Sequence, residues 1–327
     1  MKRVISGIIL ILIAIFVIFC PNYIPLTCLV GILAILGLCE LYKNVMVMGF
    51  KPIWWLGILT TILFVIGSVF KSTYQAIIPT INQELIPKIN QEVLPEINNI
   101  ISNSNISVQG FNFIIPNGSE TLDIMPLFPV IITTLIFVGF IVEFFRSDRA
   151  PIKNIGATLF GTIYIGWLFS HVASLRCVEG TTLLFGKNIP IGSALVMLMV
   201  VCTCATDTFA YVVGKNFGKH KMSPKSSPNK TWEGSIGGWV GCVIFGCLWG
   251  YLAHLPMIHV VNMAIVCGVI SQLGDLTESS IKREMGIKDF SDLIPGHGGV
   301  LDRIDSMLFT TPFIYYYVII FMLNHTI

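Results

Sequence analysis

The residues best suited to chemistry lie near the C-terminus. Ser271-Gln-Leu-Gly-Asp-Leu-Thr-Glu-Ser-Ser-Ile-Lys-Arg is followed by a loop and then by Pro295-Gly-His-Gly-Gly-Val-Leu-Asp-Arg-Ile-Asp305. On a continuous helix Asp275, Glu278 and Lys282 fall at i, i+3 and i+7, so two acids and a base share one face. Asp302 and Asp305 repeat the i, i+3 spacing at the start of the next helix. Carboxylates meeting from two helix ends make an oxygen-rich site that suits Mg2+, an ion held by one or two carboxylates, waters and substrate phosphates. Gly296-His297-Gly298-Gly299 leads into a helix start, where backbone N–H groups can approach phosphate oxygens. Lys282, Arg283, Lys288 and Arg303 would balance a polyphosphate. Asp275, Asp302 and Asp305 are the candidate metal ligands, and which of Asp207, Glu278 and Asp305 joins that site is left open.

A second polar segment runs from Asp207 to Glu233. It is basic (Lys215, Lys219, Lys221, Lys225, Lys230) and rich in Gly, Ser and Pro, a composition that can wrap an anion with amides and ammonium groups. Such a loop also serves simply to set membrane topology. Asp207 argues for more, because it sits at the end of an apolar stretch, where a carboxylate is costly. Lys230, Thr231 and Glu233 are the candidates for nucleotide contact.

The elements that must position these groups follow from hydropathy. The chain has 327 residues, 54% hydrophobic and only 12% charged, against about 25% charged in soluble domains. A polytopic membrane protein is the consequence, and disorder, collagen-like structure and a disulfide scaffold are excluded. Spanning a hydrocarbon layer of about 30 Å takes roughly 20 apolar helical residues. Nine stretches approach that length: 4–20, 23–41, 53–70, 126–145, 155–175, 189–211, 235–253, 258–276 and 304–323. The expected fold is therefore all-α with about nine transmembrane helices. With the N-terminus in the cytoplasm, only Lys71, Lys88, Arg176 and Lys187 of the 20 basic residues fall outside, as the positive-inside rule requires. Lys2-Arg3 before an apolar run also fits a signal peptide, but no small-residue cleavage site follows.

Three regions result: N-terminal transmembrane helices over 1–70, an outer-face insertion over 71–125, and a transmembrane catalytic region over 126–327. The insertion holds an eight-residue repeat, Ile81-Asn-Gln-Glu-Leu-Ile-Pro-Lys then Ile89-Asn-Gln-Glu-Val-Leu-Pro-Glu. Its prolines break any long helix, and it reads as a feature without catalytic weight. The nine cysteines form no C-x-x-C pair and suit apolar packing.

The stretch from Ser279 to Asp305, including Ser279-Ser-Ile-Lys-Arg, Lys288-Asp, and Pro295-x-His-Gly-Gly-Val-x-Asp-Arg-Ile-Asp305, resembles the signature of the phosphatidate cytidylyltransferases, or CDP-diacylglycerol synthases. Asp207 to Glu233 is similar to that family's other characteristic segment. The likeness covers about 100 residues, from Asp207 to Asp305. It implies the reaction CTP + phosphatidate → CDP-diacylglycerol + pyrophosphate with Mg2+ at the cytoplasmic face of a bilayer. It also implies metal binding by Asp275 and Asp302, catalytic help from Lys282, and K+ beside the paired metal site. His297, Gly298 and Gly299 are expected on phosphate, with Lys282, Arg283 and Arg303 screening two polyanions. The expected home is a bacterial inner membrane; a homodimer is one possible assembly, and nucleic acid is not an expected partner. Two rivals fare worse. A CDP-alcohol phosphotransferase would carry D-G-x2-A-R-x8-G-x3-D-x3-D, a run this chain lacks. A transporter would spread polar residues through several spans, whereas here they gather at one end.

Overall fold

The computed structural model describes residues 12–80, 127–293 and 298–323. The eight-residue repeat and His297 lie outside the described residues. A helical stretch over 12–19 stops ahead of Pro21-Asn22. The Asn22 side chain then accepts the Ile24 N–H at 2.9 Å, satisfying one of the orphan donors of α1 (Ile24–Val47). There follow α2 (Trp54–Thr80), α3 (Leu127–Phe144), and α4 (Pro151–Arg176), which widens into a π-helical turn over Thr162–Trp167. Next come hairpin β1 (Thr181–Leu184) and β2 (Lys187–Pro190), then α5 (Ile191–Phe217). Hairpin β3 (Lys221–Ser223) and β4 (Ser227–Thr231) precedes α6 (Trp232–Leu252), α7 (Met257–Glu284) and α8 (Leu301–Tyr317).

Among the described residues six helices are long and apolar enough to cross a membrane: α1, α4, α5, α6, α7 and α8, the last counted through Met322. Trp54–Phe70 and Phe128–Phe144 are shorter apolar helices. The molecule is thus a helical membrane protein, its only described strands being the two antiparallel hairpins. Large apolar side chains such as Phe137, Phe140, Ile236, Ile244 and Ile258 stand exposed on the helix surfaces. Such exposure would be anomalous in water and is the required covering in lipid.

The interior is a continuous apolar cluster from α1, α4, α5, α7 and α8, including Leu38, Leu41, Tyr42, Leu175, Leu198, Met263 and Leu301, all fully buried. Two backbone approaches decide where the polar ends meet. A Cβ placed on Gly238 of α6 would lie 2.7 Å from the Thr206 carbonyl of α5. Only glycine lets these two backbones come so close, as is common where lipid offers no hydrophobic drive for helix association. A Cβ on Gly274 of α7 would lie 3.0 Å from the Asp305 carbonyl of α8. The chain at Asp275 is thereby pressed against the first turn of α8.

Candidate functional site

The last turns of α7 and the first turns of α8 bring three carboxylates together. One oxygen from each of Asp275, Glu278 and Asp305 lies within 4.8 Å of the other two. Asp275 and Glu278 are the i, i+3 pair on the α7 face, and the Gly274 contact supplies Asp305 from α8. Glu278 is 1% exposed, and its Oε1 is buried with no hydrogen-bond partner among the described residues. An orphaned carboxylate oxygen in a low-dielectric interior is costly. Its position beside two further acids fits an oxygen-ligated cation.

Lysines frame this cluster. Lys282 Nζ stands 2.8 Å from Glu278 Oε2 and 2.9 Å from Asp302 Oδ1. Lys230, from β4, stands 2.6 Å from Asp275 Oδ2. Asp302 is otherwise occupied by backbone: its Oδ2 accepts the Gly299 N–H at 2.8 Å and the Phe290 N–H at 3.1 Å. It therefore ties the glycine loop to α8, while Asp275 and Asp305 stand with Glu278.

Beside the carboxylates opens a cavity of about 510 Å3 lined by Asp207, Tyr211, Lys215, Asn229, Lys230 and Asp275, among others. Gln272 braces its wall. Its amide donates to the Ser235 and Gly268 carbonyls at 3.0 and 2.8 Å, and the Ser235 hydroxyl donates to its Oε1. The basic segment after Asp207 thus folds into hairpin β3–β4, which lays Lys230 against Asp275.

The other sequence candidates take different places. Thr231 caps α6, its Oγ1 accepting the Gly234 N–H at 3.2 Å. Glu233 accepts the Lys219 N–H at 3.1 Å and pairs with His220 Nδ1 at 2.6 Å, so it ties α6 to the approach to β3. Arg283 donates to the Ser226 and Ile287 carbonyls at 3.1 Å each, bracing the β3–β4 turn against the end of α7. Lys288 and Arg303 are exposed. Gly298 takes φ +82°, a left-handed conformation that favours glycine.

Glu40 was not anticipated. It projects from α1, 6% exposed, and accepts the N–H groups of Val300 at 3.0 Å and Leu301 at 2.9 Å and the Ser291 hydroxyl at 2.6 Å. The amides at the α8 start that were expected to be open to phosphate therefore meet the protein's own carboxylates: Gly299 meets Asp302, and Val300 and Leu301 meet Glu40. A signal was present in the sequence, since Glu40 is the first acid of the chain and the next is Glu84.

The described helices form a membrane bundle that gathers acids and lysines beside a cavity. The chain belongs to the cytidylyltransferase family, whose model matches residues 52–321. It is 36% identical over 196 residues to a phosphatidate cytidylyltransferase of Synechocystis, a match covering 54% of this chain and 67% of that protein. It is 38% identical over 172 residues to that of Bacillus subtilis, covering 51% and 60%. It is 37% identical over 204 residues to phosphatidate cytidylyltransferase 4, chloroplastic, of Arabidopsis thaliana, covering 58% and 52%. The matched stretch thus spans between about half and two thirds of these relatives' lengths.

Proposed function

We propose that this chain is a phosphatidate cytidylyltransferase that converts CTP and phosphatidate to CDP-diacylglycerol and pyrophosphate. The observation that carries the reading is the convergence of Asp275, Glu278 and Asp305 beside a cavity holding Lys215 and Lys230, in a membrane chain of this family. The relatives named phosphatidate cytidylyltransferase support the choice of lipid and nucleotide.

The carboxylate set, with the free Glu278 Oε1, fits Mg2+. Asp275, Glu278 and Asp305 would hold it, and K+ is the proposed companion ion at the same cluster. When bound, Mg2+ supplies neutralisation of triphosphate charge. Asp302 would join the ligands once a polyphosphate draws Lys282 away from it.

An oxygen of the phosphatidate phosphate attacks the α-phosphorus of CTP, and the bond to the pyrophosphate oxygen breaks. The nucleophile is already largely dianionic near neutral pH, a phosphate monoester having a second pKa of about 6, so no strong base is needed. The protein's task is alignment and charge balance. Lys230 and Lys215 present ammonium groups to the cavity, and Lys282 moves between carboxylates and phosphate. Arg283 and Arg303 screen the polyanions from the exposed side, with His297, Gly298 and Lys288 on the phosphates. Thr231 and Glu233 shape the nucleotide wall by fixing hairpin β3–β4 on α6. The acyl chains lie between helices.

The proposed topology has nine spans with a cytoplasmic N-terminus and active site, in a bacterial cell membrane. The 16-to-4 division of the 20 basic residues supports it.

The test is formation of CDP-diacylglycerol from radiolabelled CTP, phosphatidate and Mg2+ by the purified chain in lipid vesicles. Absence of product from folded protein would refute the reading. Asp275→Asn should lower turnover at least 100-fold; retained turnover with unchanged Mg2+ dependence would remove Asp275 from the ligand set.

A further inference from the structure

We propose that Glu40 is a positioning residue for the active site, acting as a long-range cap on α8. This assignment rests on the cytidylyltransfer reading for its kinetic consequence and on geometry alone for its structural one. The first N–H groups of a helix lack intrahelical partners and carry partial positive charge. A local Ser, Thr, Asp or Asn usually supplies the acceptor. At α8 the residue preceding the helix is Val300, whose side chain has no acceptor. The acceptor arrives from α1, some 260 residues away in sequence: Glu40 takes the N–H groups of Val300 and Leu301 through separate oxygens.

The same carboxylate reaches across the glycine loop. Glu40 Oε1 also accepts the Ser291 hydroxyl. One turn further along α1, the Asn44 amide donates to the Phe290 carbonyl at 2.9 Å. Two residues of one helix face therefore grip both arms of the loop, Phe290–Ser291 on the entering side and Val300–Leu301 on the leaving side. Phe290 in turn gives its N–H to Asp302. The chain of contacts runs from α1 through the loop to Asp302 and Lys282, without Glu40 touching the carboxylates that would hold metal. A side chain on Gly299 would meet Glu40, with its Cβ 2.7 Å from Oε2. The Gly-Gly pair thus makes room for a carboxylate of the protein itself.

Glu40 fixes the phase and height of α8 relative to α7, and so the placement of Asp302 and Asp305. Loss of the cap should loosen the loop and lower turnover while leaving the nucleotide cavity, built on α5, α6, α7 and hairpin β3–β4, nearly intact. The expected kinetic signature is a fall in kcat with KM for CTP held within about twofold.

The experiment compares wild type, Glu40→Gln and Glu40→Ala as full-length protein in detergent micelles. Hydrogen exchange is followed over residues 286–305, alongside steady-state kinetics with CTP and dispersed phosphatidate. Exchange near 299–302 should quicken at least tenfold in Glu40→Ala with α5 and α6 unchanged. kcat should fall in the order wild type, Gln, Ala, since glutamine keeps one acceptor. Unchanged exchange in Glu40→Ala would overturn the proposal, as would faster exchange spread evenly over α5 and α6, the mark of a general packing role. A CTP KM that rises while kcat stays constant would also overturn it. If wild type forms no product, the cytidylyltransfer reading fails, and the exchange data alone decide whether Glu40 caps α8.

Discussion

Replacing Lys282 by Met should unfold the site before it merely slows it. Lys282 Nζ bridges Glu278 at 2.8 Å and Asp302 at 2.9 Å, and the three side chains are 12%, 1% and 4% exposed. At an effective dielectric of about 20, each contact is worth roughly 6 kcal/mol of gross attraction, most of it offset by desolvation. The net value of the triad is therefore small, but its disruption is not: removing one partner of a buried pair costs about 3–5 kcal/mol, because the other charge is stranded. Here two carboxylates would be stranded, with Asp305 and Asp275 nearby. The expected fall in Tm is on the order of 10 °C, read by thermal unfolding in detergent with EDTA present. Millimolar Mg2+ should recover part of it by substituting a cation for the ammonium. The double variant Lys282→Met with Glu278→Gln should be more stable than Lys282→Met alone, since one stranded charge is gone, yet remain inactive. A Tm for Lys282→Met within about 1 °C of wild type would refute the claim that these carboxylates depend on Lys282.

Two further outcomes follow from packing. Gly274→Val should push α8 away at the Asp305 carbonyl, costing about 1–3 kcal/mol. It should also raise the Mg2+ concentration for half-maximal activity several-fold; an unchanged Mg2+ titration would show that the α7–α8 approach does not set the carboxylate spacing. Tyr42→Phe removes a buried hydroxyl that donates to the Thr158 carbonyl at 2.9 Å. That carbonyl still receives the Thr162 hydroxyl, so the cost should stay near 1 kcal/mol with turnover unaltered, as measured by Tm and product formation.

The helices were legible because hydropathy is a local property: the second to ninth apolar stretches each overlap a described helix. Asp275 and Glu278 were readable as neighbours, because helical spacing alone places them on one face. Their meeting with Asp305 needed Gly274, whose role depends on a backbone from a different helix. Thr231 and Glu233 show the opposite difficulty. A hydroxyl and a carboxylate in a basic loop look the same in sequence whether they bind a ligand or a helix end, and here they cap α6 and secure the hairpin. Arg283 follows suit, spending its donors on two carbonyls. Glu40 was visible as a lone acid in an apolar stretch, yet its partners lie about 260 positions away, beyond any local pattern.

What sets Glu278 apart from the acids that build the frame is an oxygen that is not spoken for. Glu40 spends both oxygens on three donors, and Asp302 spends both on Lys282, Gly299 and Phe290. Both hold the glycine loop. Among the described residues Glu278 keeps Oε1 without a partner, deep in the protein, within reach of Asp275 and Asp305. In a medium where a buried carboxylate oxygen without a partner is this costly, the arrangement supports the proposal that a cation completes it. Four acids of the motif and Glu40 thus divide by role rather than by sequence position. Asp302 and, from outside the motif, Glu40 build the frame, while Asp275, Glu278 and Asp305 are the proposed ligands.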